Sequence, residues 1–340
     1  MKVGMYYNNR DVRVEEMPVP EVGEKDILIK VKASGICGSD IMEWYRIKRA
    51  PLVLGHEVTG EVVKVGSGVT KFAPGDRVFT IHHVPCDACE ECLKGHHTAC
   101  RDLQGINYFA PGGFSEFLRV SGKSVDTGTL KLPPEVSYEE GTFIEPLGTV
   151  LRGLRTADVK PGESVLIIGS GLSGLLYIKA ARALGAGNII AADIQDNRLE
   201  AAARFGATHT INAAGDVPAL VKKANGGRLA DKVIICTGAL PAISQALDSV
   251  ERGGTVLFFA VPKPGETVPV DFNPYWRNDI SFKTSYGSAP LDHYQALELI
   301  RRGNINVKEM ITTRLALNDI AKGFAMAAEG RDCLKVIIEP

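Results

Sequence analysis

The 340-residue sequence has no apolar run approaching the roughly 20 residues that are needed to cross a bilayer. It also has no excess of charge of either sign, because 39 Lys and Arg oppose 40 Asp and Glu, for a net charge of −1. Such a balance gives no reason to expect a nucleic-acid partner or a membrane surface. Internal repeats and low-complexity tracts are missing too. What remains is an ordinary globular composition, 45% hydrophobic and 23% charged, in a chain long enough for two domains.

Cysteine is scarce, with seven in the chain, and the first residues show no apolar segment followed by a small-residue cleavage site. Disulfide-stapled proteins are usually short and secreted, and they carry such a segment. We therefore expect reduced thiols and a cytoplasmic protein.

Four of the seven cysteines fall in one short stretch, CDACEECLKGHHTAC (86–100), spaced C-x2-C-x2-C-x7-C. Cysteines two residues apart are poorly placed to pair with one another, but they can turn their sulfurs toward one centre. Structural zinc prefers a closed tetrahedron of thiolates. The alternative, a loop of unrelated thiols, is disfavoured by the compact spacing. The predicted ligands of this structural zinc are Cys86, Cys89, Cys92 and Cys100.

The second half of the chain alternates short apolar runs with helical segments. The predicted strands are SVLIIG (164–169), NIIAAD (188–193), THTIN (208–212), DKVIICTG (231–238), GTVLFFAV (254–261) and SFKTSYG (281–287). Continuous apolar strands between helices indicate a parallel sheet that is covered on both faces. This pattern predicts a doubly wound α/β domain with six strands over residues 151–287.

The first half shows strands of mixed alternation, broken by Gly, Pro and Asp turns, and predicts an irregular, mostly antiparallel β domain over 1–150. The last fifty residues predict two helices, the second after Asn318, and a final strand in CLKVIIEP. We expect this tail, 288–340, to fold back and complete the first domain.

A glycine-rich turn, GSGLSG (169–174), follows the apolar run SVLII directly and opens a helix at Leu172. This context is what distinguishes a dinucleotide fingerprint from a chance match. Gly169 would permit the tight turn, and Gly171 would let the backbone approach a pyrophosphate. Gly174 would allow close packing of helix on strand. The alternative is a glycine-rich turn without a ligand.

An acidic residue, Asp193, ends the next strand, nineteen residues after Gly174. A carboxylate at this place accepts hydrogen bonds from the adenosine ribose and repels a 2′-phosphate, so NAD is favoured over NADP. Arg198 could hold a phosphate instead, but beside Asp193 we expect it to pack near the ribose.

Three further segments supply candidate ligands for a second metal: GICGSD (35–40), GHEVTGEVV (55–63) and IEPLG (144–148). A thiolate, an imidazole and a carboxylate can hold zinc with one position open for a substrate oxygen. Each segment is a weak signal alone. The candidate ligands are Cys37, His56, Glu57 and Glu145.

These segments, together with the cysteine cluster, GSGLSG and the terminal KVIIE, occur in the order found in zinc-containing medium-chain dehydrogenases. The sequence resembles that superfamily over essentially its whole length. Within it the chain is most similar to the sorbitol dehydrogenase-like branch, where the glutamate of E-P-L replaces a cysteine. The resemblance implies a GroES-like catalytic domain plus a Rossmann domain, two zinc ions per chain, NAD, and a homo-oligomer, either a dimer or a tetramer.

The resemblance also implies roles for individual residues. Cys37 and His56 would bind the catalytic zinc with Glu57 or Glu145 as the third ligand, and the four clustered cysteines would hold the structural zinc. Ser39 would be the first hydroxyl of a proton relay, and Asp40 would orient His56. Further cofactor contacts would come from Leu172, Cys236, Val261 and Tyr286.

The chain departs from this branch after GICGSD, where IMEWY (41–45) replaces the usual histidine and tyrosine. Glu43 and Trp44 are therefore candidate substrate contacts, with Glu145. The carboxylate of Glu43 could bind polyol hydroxyls or a substrate amine, or simply face solvent. RIKR (46–49) could attract a phosphate or form a solvated loop. The branch's arginine–tyrosine pair becomes Ser285–Tyr286.

The resemblance implies hydride transfer from a secondary alcohol of a polyol, sugar or cyclitol-like substrate to NAD, giving a ketone. An L-threonine or simple secondary alcohol dehydrogenase is the alternative in the same family. Zinc-free quinone or enoyl reductases are disfavoured because they lack both cysteine-containing motifs. A zinc-ribbon module for nucleic acid is opposed by the net charge of −1.

Overall fold

The computed structural model describes residues 1–330 and 333–340. These residues form two compact units, Met1–Gly148 with Ser288–Pro340 and Thr149–Gly287. The domain ranges predicted from the sequence are compatible with this division. Each unit has its own cluster of buried apolar side chains. Within the described residues, no helix combines the length and the apolar character that a membrane span requires.

The first unit begins with short, mostly antiparallel strands. Its strands, up to residue 131, are β1 (Lys2–Asn8), β2 (Asp11–Glu16), β3 (Ile27–Gly35), β4 (Leu52–Val53), β5 (Glu57–Val65), β6 (Arg77–Thr80), β7 (Phe109–Ala110), β8 (Phe117–Val120) and β9 (Thr129–Lys131). Strand β3 pairs with β5 and β8, β5 with β6, and β6 with β9. Register shifts interrupt the β3–β5 ladder, so the predicted irregular antiparallel architecture is confirmed.

Short helices and turns connect these strands. The helices are α1 (Glu43–Arg46), α2 (Glu90–Leu93), α3 (Arg101–Gly105) and α4 (Tyr138–Gly141), followed by the longer α5 (Ile144–Ala157). Single turns of 3₁₀ helix occur at Ile47–Arg49 and His97–Ala99, and a π turn at Ser124–Gly128.

The second unit is a parallel α/β sheet. Its elements are β10 (Val165–Ile168), α6 (Leu172–Ala183), β11 (Ile189–Asp193), α7 (Asp196–Arg204), β12 (His209–Asn212), α8 (Val217–Ala224), β13 (Ala230–Ile235), α9 (Leu240–Leu247), β14 (Val250–Phe258), α10 (Asn273–Arg277) and β15 (Ser281–Thr284). The strand order is β12-β11-β10-β13-β14-β15, with every pairing parallel. The predicted six-stranded Rossmann sheet is confirmed, and its strand order reverses between β10 and β13, where such sheets bind dinucleotides.

The C-terminal segment returns to the first unit. It contains α11 (Pro290–Arg301), β16 (Ile311–Ala316), α12 (Ile320–Glu329) and β17 (Lys335–Glu339), with 3₁₀ turns at Lys308–Met310 and Leu317–Asp319. Strand β17 runs antiparallel to β3, with Ile337 opposite Gly35. The last residues of the chain are thereby brought next to the segments that carry the first candidate ligands.

Candidate active site

Four thiols converge in the segment between β6 and β7, which we call the thiol lobe (Cys86, Cys89, Cys92, Cys100). All four sulfur atoms lie within 4.8 Å of one another, and none of these cysteines forms a disulfide. The Sγ atoms of Cys86 and Cys92 are 3.9 Å apart. A tetrahedron with Zn–S bonds of about 2.3 Å has edges of about 3.8 Å, so the thiol lobe fits zinc.

Backbone amides stabilise the thiol lobe. The N–H of Cys86 donates to the sulfur of Cys100 at 3.3 Å, and the N–H of Cys89 donates to the sulfur of Cys86 at 3.2 Å. Burial acts to raise the pKa of Cys100, but the amides of Cys86 and Leu103 outweigh it, so this pKa is lowered to about 7. Four thiolates fill a tetrahedral coordination sphere and leave no position for a substrate.

A second group of donors, the open donor group (Cys37, His56, Glu57), lies where β3 and β5 meet. One ligand atom from each residue lies within 4.8 Å of the other two. In the antiparallel pairing of β3 with β5, Gly35 lies opposite Glu57. The turn that follows β3 therefore lies next to the start of β5. Thiolate, imidazole and carboxylate suit zinc, and three ligands leave a fourth position open.

Asp40 fixes the histidine of the open donor group. Its Oδ1 lies 3.4 Å from Nδ1 of His56, and its Oδ2 accepts the N–H of Cys37 at 3.1 Å. Burial acts against both charges, but the mutual attraction prevails: the pKa of Asp40 is lowered, and the pKa of His56 is raised well above its usual value. With Nδ1 held by Asp40, Nε2 is the ring nitrogen left for a metal.

Glu57 forms a fully buried ion pair with Lys335 of β17. Lys335 also donates to the backbone carbonyl of Ile36 at 3.2 Å. Lys335 binds Oε2 of Glu57. The other carboxylate oxygen of Glu57, Oε1, is buried and has no hydrogen-bond partner among the described residues. A buried carboxylate oxygen without a protein partner, inside a group of zinc donors, fits metal ligation.

Glu145, in the first turn of α5, is buried. It is not one of the residues whose ligand atoms all lie within 4.8 Å of one another. Burial raises its pKa to about 7, with a further contribution from Glu57 that His56 and Lys335 oppose. The structure thus includes Glu57 in the donor group and places Glu145 within electrostatic reach of it.

Sequence reasoning missed two histidines, His82 and His83, which are separated from the end of β6 by Ile81 alone. The ring of His82 lies 5.3 Å from that of His56 and 3.6 Å from that of His83. Burial lowers the pKa of His82 well below its usual value and that of His83 to about 4. The available signal was a tandem histidine at the end of an apolar strand, DRVFTI. Strand β6 pairs antiparallel with β5, so the end of β6 lies next to the start of β5 at Glu57.

Arg46, the last residue of α1, makes contacts that its place in the cationic run RIKR (46–49) does not predict. Its Nη2 donates to the hydroxyl of Ser39 at 2.9 Å and lies 3.4 Å from Oδ1 of Asp40. The Ser39 hydroxyl in turn lies 3.5 Å from the sulfur of Cys37. Ser39 and Asp40, both predicted site residues, are therefore held beside the open donor group.

In the second unit, the three fingerprint glycines have the geometry expected of them. Gly169 has φ +97°, and a Cβ there would lie 3.1 Å from the carbonyl group of Cys236. A Cβ on Gly174 would lie 2.0 Å from the carbonyl oxygen of Gly169 and 3.5 Å from the side chain of Ile167, so helix α6 packs closely on the turn and on β10. A Cβ on Gly171, the residue directly before Leu172, would meet open space. The backbone is thus accessible where a pyrophosphate is expected.

Asp193 ends β11 with its carboxylate bound to the backbone. Its Oδ2 accepts the N–H of Ser170 at 2.7 Å, and its Oδ1 accepts the N–H of Gln195 at 3.0 Å. Nη1 of Arg198 lies 3.7 Å from Oδ2. The carboxylate is therefore fixed beside the glycine-rich turn, and the guanidinium is close to it.

The remaining candidates are placed less distinctively. Glu43 is exposed, and Trp44 is half-buried with its ring 5.9 Å from that of Tyr45. In the second unit, burial raises the pKa of the Cys236 thiol. Val261 and Tyr286 are 53% and 52% exposed.

Two family models match the chain. Residues 23–133 match the alcohol dehydrogenase GroES-like domain, and residues 174–302 match the zinc-binding dehydrogenase model. Together they cover most of both units.

Curated relatives align over nearly the full length. Sorbitol dehydrogenase of Bacillus subtilis (strain 168) is 32% identical, covering 100% of this chain and 97% of its own. A probable D-xylulose reductase A of Neosartorya fischeri is 34% identical, covering 94% and 91%. L-Threonine 3-dehydrogenase of Rhizobium johnstonii is 30% identical, covering 93% and 92%.

Solved structures show the same fold. The alcohol dehydrogenase TADH from Thermus sp. ATN1 superimposes with a TM-score of 0.90 at 29% identity, covering 100% of this chain and 99% of its own. A zinc-binding dehydrogenase from Sinorhizobium meliloti 1021, bound to NADP, gives 0.88 at 30% identity, covering 100% and 99%. The protein is an oxidoreductase that uses zinc and NAD(P), and the chain belongs to the zinc-binding alcohol dehydrogenase family.

Proposed function

We propose that this protein oxidises a secondary alcohol of a polyol, sugar or cyclitol-like substrate to a ketone, with NAD as the hydride acceptor. The observation that carries the proposal is the open donor group, whose three donors fit zinc with one position left open, in the same unit as the thiol lobe. Relatives named sorbitol dehydrogenase and D-xylulose reductase support the polyol class.

L-Threonine is the second candidate substrate. A relative named L-threonine 3-dehydrogenase aligns over 93% of the chain. The exposed carboxylate of Glu43, at the start of α1, offers a partner for a substrate ammonium group.

In this proposal Cys37, His56 and Glu57 hold the catalytic zinc, and the thiol lobe holds the structural one. Zinc at the open donor group supplies Lewis acidity that makes an alcohol hydroxyl more acidic. Asp40 keeps the ring of His56 in place through Nδ1, at 3.4 Å. The proton that leaves the alcohol would pass through the Ser39 hydroxyl, which lies beside Cys37. Its oxygen would accept that proton and release its own hydroxyl proton toward solvent.

Two glutamates, Glu57 and Glu145, are candidates for the carboxylate ligand of the catalytic zinc. We keep the hypothesis that Glu57 and Glu145 alternate as ligand, and two observations support it. Lys335 offers Glu57 a partner whenever it is not a ligand. Glu145 is buried close enough to Glu57 for the charge of Glu57 to contribute to its raised pKa.

Asp193 is proposed to select NAD. Asp193→Ser would remove a fixed negative charge and leave Arg198 beside the ribose site. We expect the ratio of kcat/KM for NADP to that for NAD to rise by roughly one to two orders of magnitude, because opposed like charges cost several kcal/mol. Steady-state kinetics with both cofactors tests this. A native enzyme that already prefers NADP would show that Arg198 dominates.

The substrate class is tested by following NADH production over a panel of polyols, cyclitols, aminocyclitols, L-threonine and simple 2-alcohols. We expect the highest kcat/KM for a polyol or cyclitol, and loss of the signal in His56→Ala. Highest activity with threonine would instead favour the second candidate. A cytoplasmic location and a dimeric or tetrameric assembly remain predictions.

A further inference from the structure

Arg46 differs from the other cations of its run. Its side chain is only 12% exposed, whereas Lys48 and Arg49 are exposed. Its Nε donates to the backbone carbonyl of Ser39 at 3.0 Å, and its Nη2 donates to the hydroxyl of the same residue at 2.9 Å. The guanidinium also lies over the ring of Tyr45, 4.8 Å from its centroid. The run is therefore not simply a solvated loop.

We propose that Arg46 is a positioning residue that sets the direction of the Ser39 hydroxyl and holds Asp40 in line with His56. A guanidinium donates hydrogen bonds and never accepts them. The oxygen of Ser39 must therefore accept from Arg46 and direct its own hydrogen elsewhere. Sγ of Cys37, 3.5 Å away, lies in that direction. The inference rests on the proposed role of Ser39 as the relay hydroxyl.

The same guanidinium balances the charge of Asp40. Asp40 is completely buried, and its Oδ1 lies 3.4 Å from both Nη2 of Arg46 and Nδ1 of His56. His56 binds a metal as a neutral imidazole, so it then offers Asp40 a hydrogen bond without a positive charge. Arg46 supplies that charge, and an unpaired buried carboxylate would be strongly unfavourable.

The test compares Arg46→Met and Arg46→Lys with a matched control, Arg49→Met, which removes an exposed cation from the same run. Arg46→Met should lower kcat about 10- to 100-fold, the range typical of groups that orient ligands, with a change in KM below about threefold. It should also raise the solvent deuterium isotope effect on kcat. Arg46→Lys should recover part of kcat, because it keeps the charge but cannot span both residues. The control should match wild type.

A double-mutant cycle tests whether Arg46 acts through Ser39. In a Ser39→Ala background the kcat loss caused by Arg46→Met should shrink markedly, because the hydroxyl that Arg46 orients is gone. Full additivity would overturn the inference. So would equal losses in Arg46→Met and Arg49→Met, or a rise in KM with kcat unchanged, which would make Arg46 a substrate-binding group.

A readout without turnover keeps the inference separate from the proposed function. Zinc affinity of the open donor group should fall about 10- to 100-fold in Arg46→Met, as for loss of groups that support a ligand, while the thiol lobe keeps its zinc. Unchanged affinity would contradict the link through Asp40, even if no alcohol on the panel were oxidised by wild type. Activity on none of the alcohols would count against the proposed function alone.

Discussion

The thiol lobe and the open donor group lie in the same unit, and each brings its ligand atoms within 4.8 Å, yet their surroundings differ. Amide N–H groups contact the sulfurs of the thiol lobe. At the open donor group, charged side chains contact the ligands themselves: Asp40 contacts His56 and Lys335 contacts Glu57, with Glu145 nearby.

In the proposed function, this difference separates a site that stabilises the fold from a site that reacts. Four thiolates would complete a coordination sphere, so a metal there would contribute folding free energy and no chemistry. Three mixed ligands leave a position for substrate, and the flanking acids and bases can orient ligands or move protons.

The largest expected effect comes from removing a ligand of the open donor group. His56→Ala should lower kcat/KM roughly ten-thousand-fold, about 5.5 kcal/mol, because a Lewis acid contributes several kcal/mol to the transition state. Tm should fall less than in the thiol-lobe variant described next, since the thiol lobe is untouched and Arg46 still pairs with Asp40. Steady-state kinetics and calorimetry check both. His96→Ala, an exposed histidine of the thiol-lobe segment, is the matched control and should keep full activity.

The reverse pattern is expected when a ligand of the thiol lobe is removed. Cys100→Ser should destabilise the first unit by about 4 kcal/mol, as loss of a structural metal does. The thermal midpoint should fall while folded molecules at low temperature keep measurable turnover. Cys333→Ser, outside both groups, should cost no more than about 1 kcal/mol. An intact midpoint in Cys100→Ser would mean that the thiol lobe is not a structural metal site.

The thiol lobe was predictable from the sequence because its four ligands are local. Spacing within 86–100 already determines that the sulfurs can meet. The fingerprint glycines were predictable for the same reason, since strand, turn and helix are contiguous there.

The surroundings of the open donor group were not predictable to the same extent. Glu57 and Lys335 are 278 positions apart, and only the pairing of β17 with β3 brings the end of the chain to this site. Arg46, at the end of the short helix α1, donates a hydrogen bond back to Ser39, which precedes that helix. The charge and spacing of RIKR do not predict which of its cations contacts Ser39.

The smallest of these effects concerns the ion pair that distinguishes the open donor group. Lys335→Met leaves the buried carboxylate of Glu57 uncompensated once the catalytic zinc is removed. We expect a loss of about 3 kcal/mol in the first unit, or a fall in Tm of roughly 6–12 °C for a unit of this size. Calorimetry on protein depleted of the catalytic zinc measures it.

The matched double variant, Glu57→Gln with Lys335→Met, should recover most of this Tm, because no buried charge remains. If the single and double variants melted at the same temperature, the ion pair would have no part in compensating Glu57.

The difference between the two donor groups is tested most directly by following zinc content and activity together during chelation of the native enzyme. The closed thiol lobe should hold its metal, while the open donor group exchanges with solvent. We predict two zinc ions per chain at the start, a fast phase in which one zinc and the activity disappear together, and a second zinc retained until the protein unfolds. Release of both ions in a single phase, or activity that survives loss of the first zinc, would contradict the assignment of one group to structure and the other to catalysis.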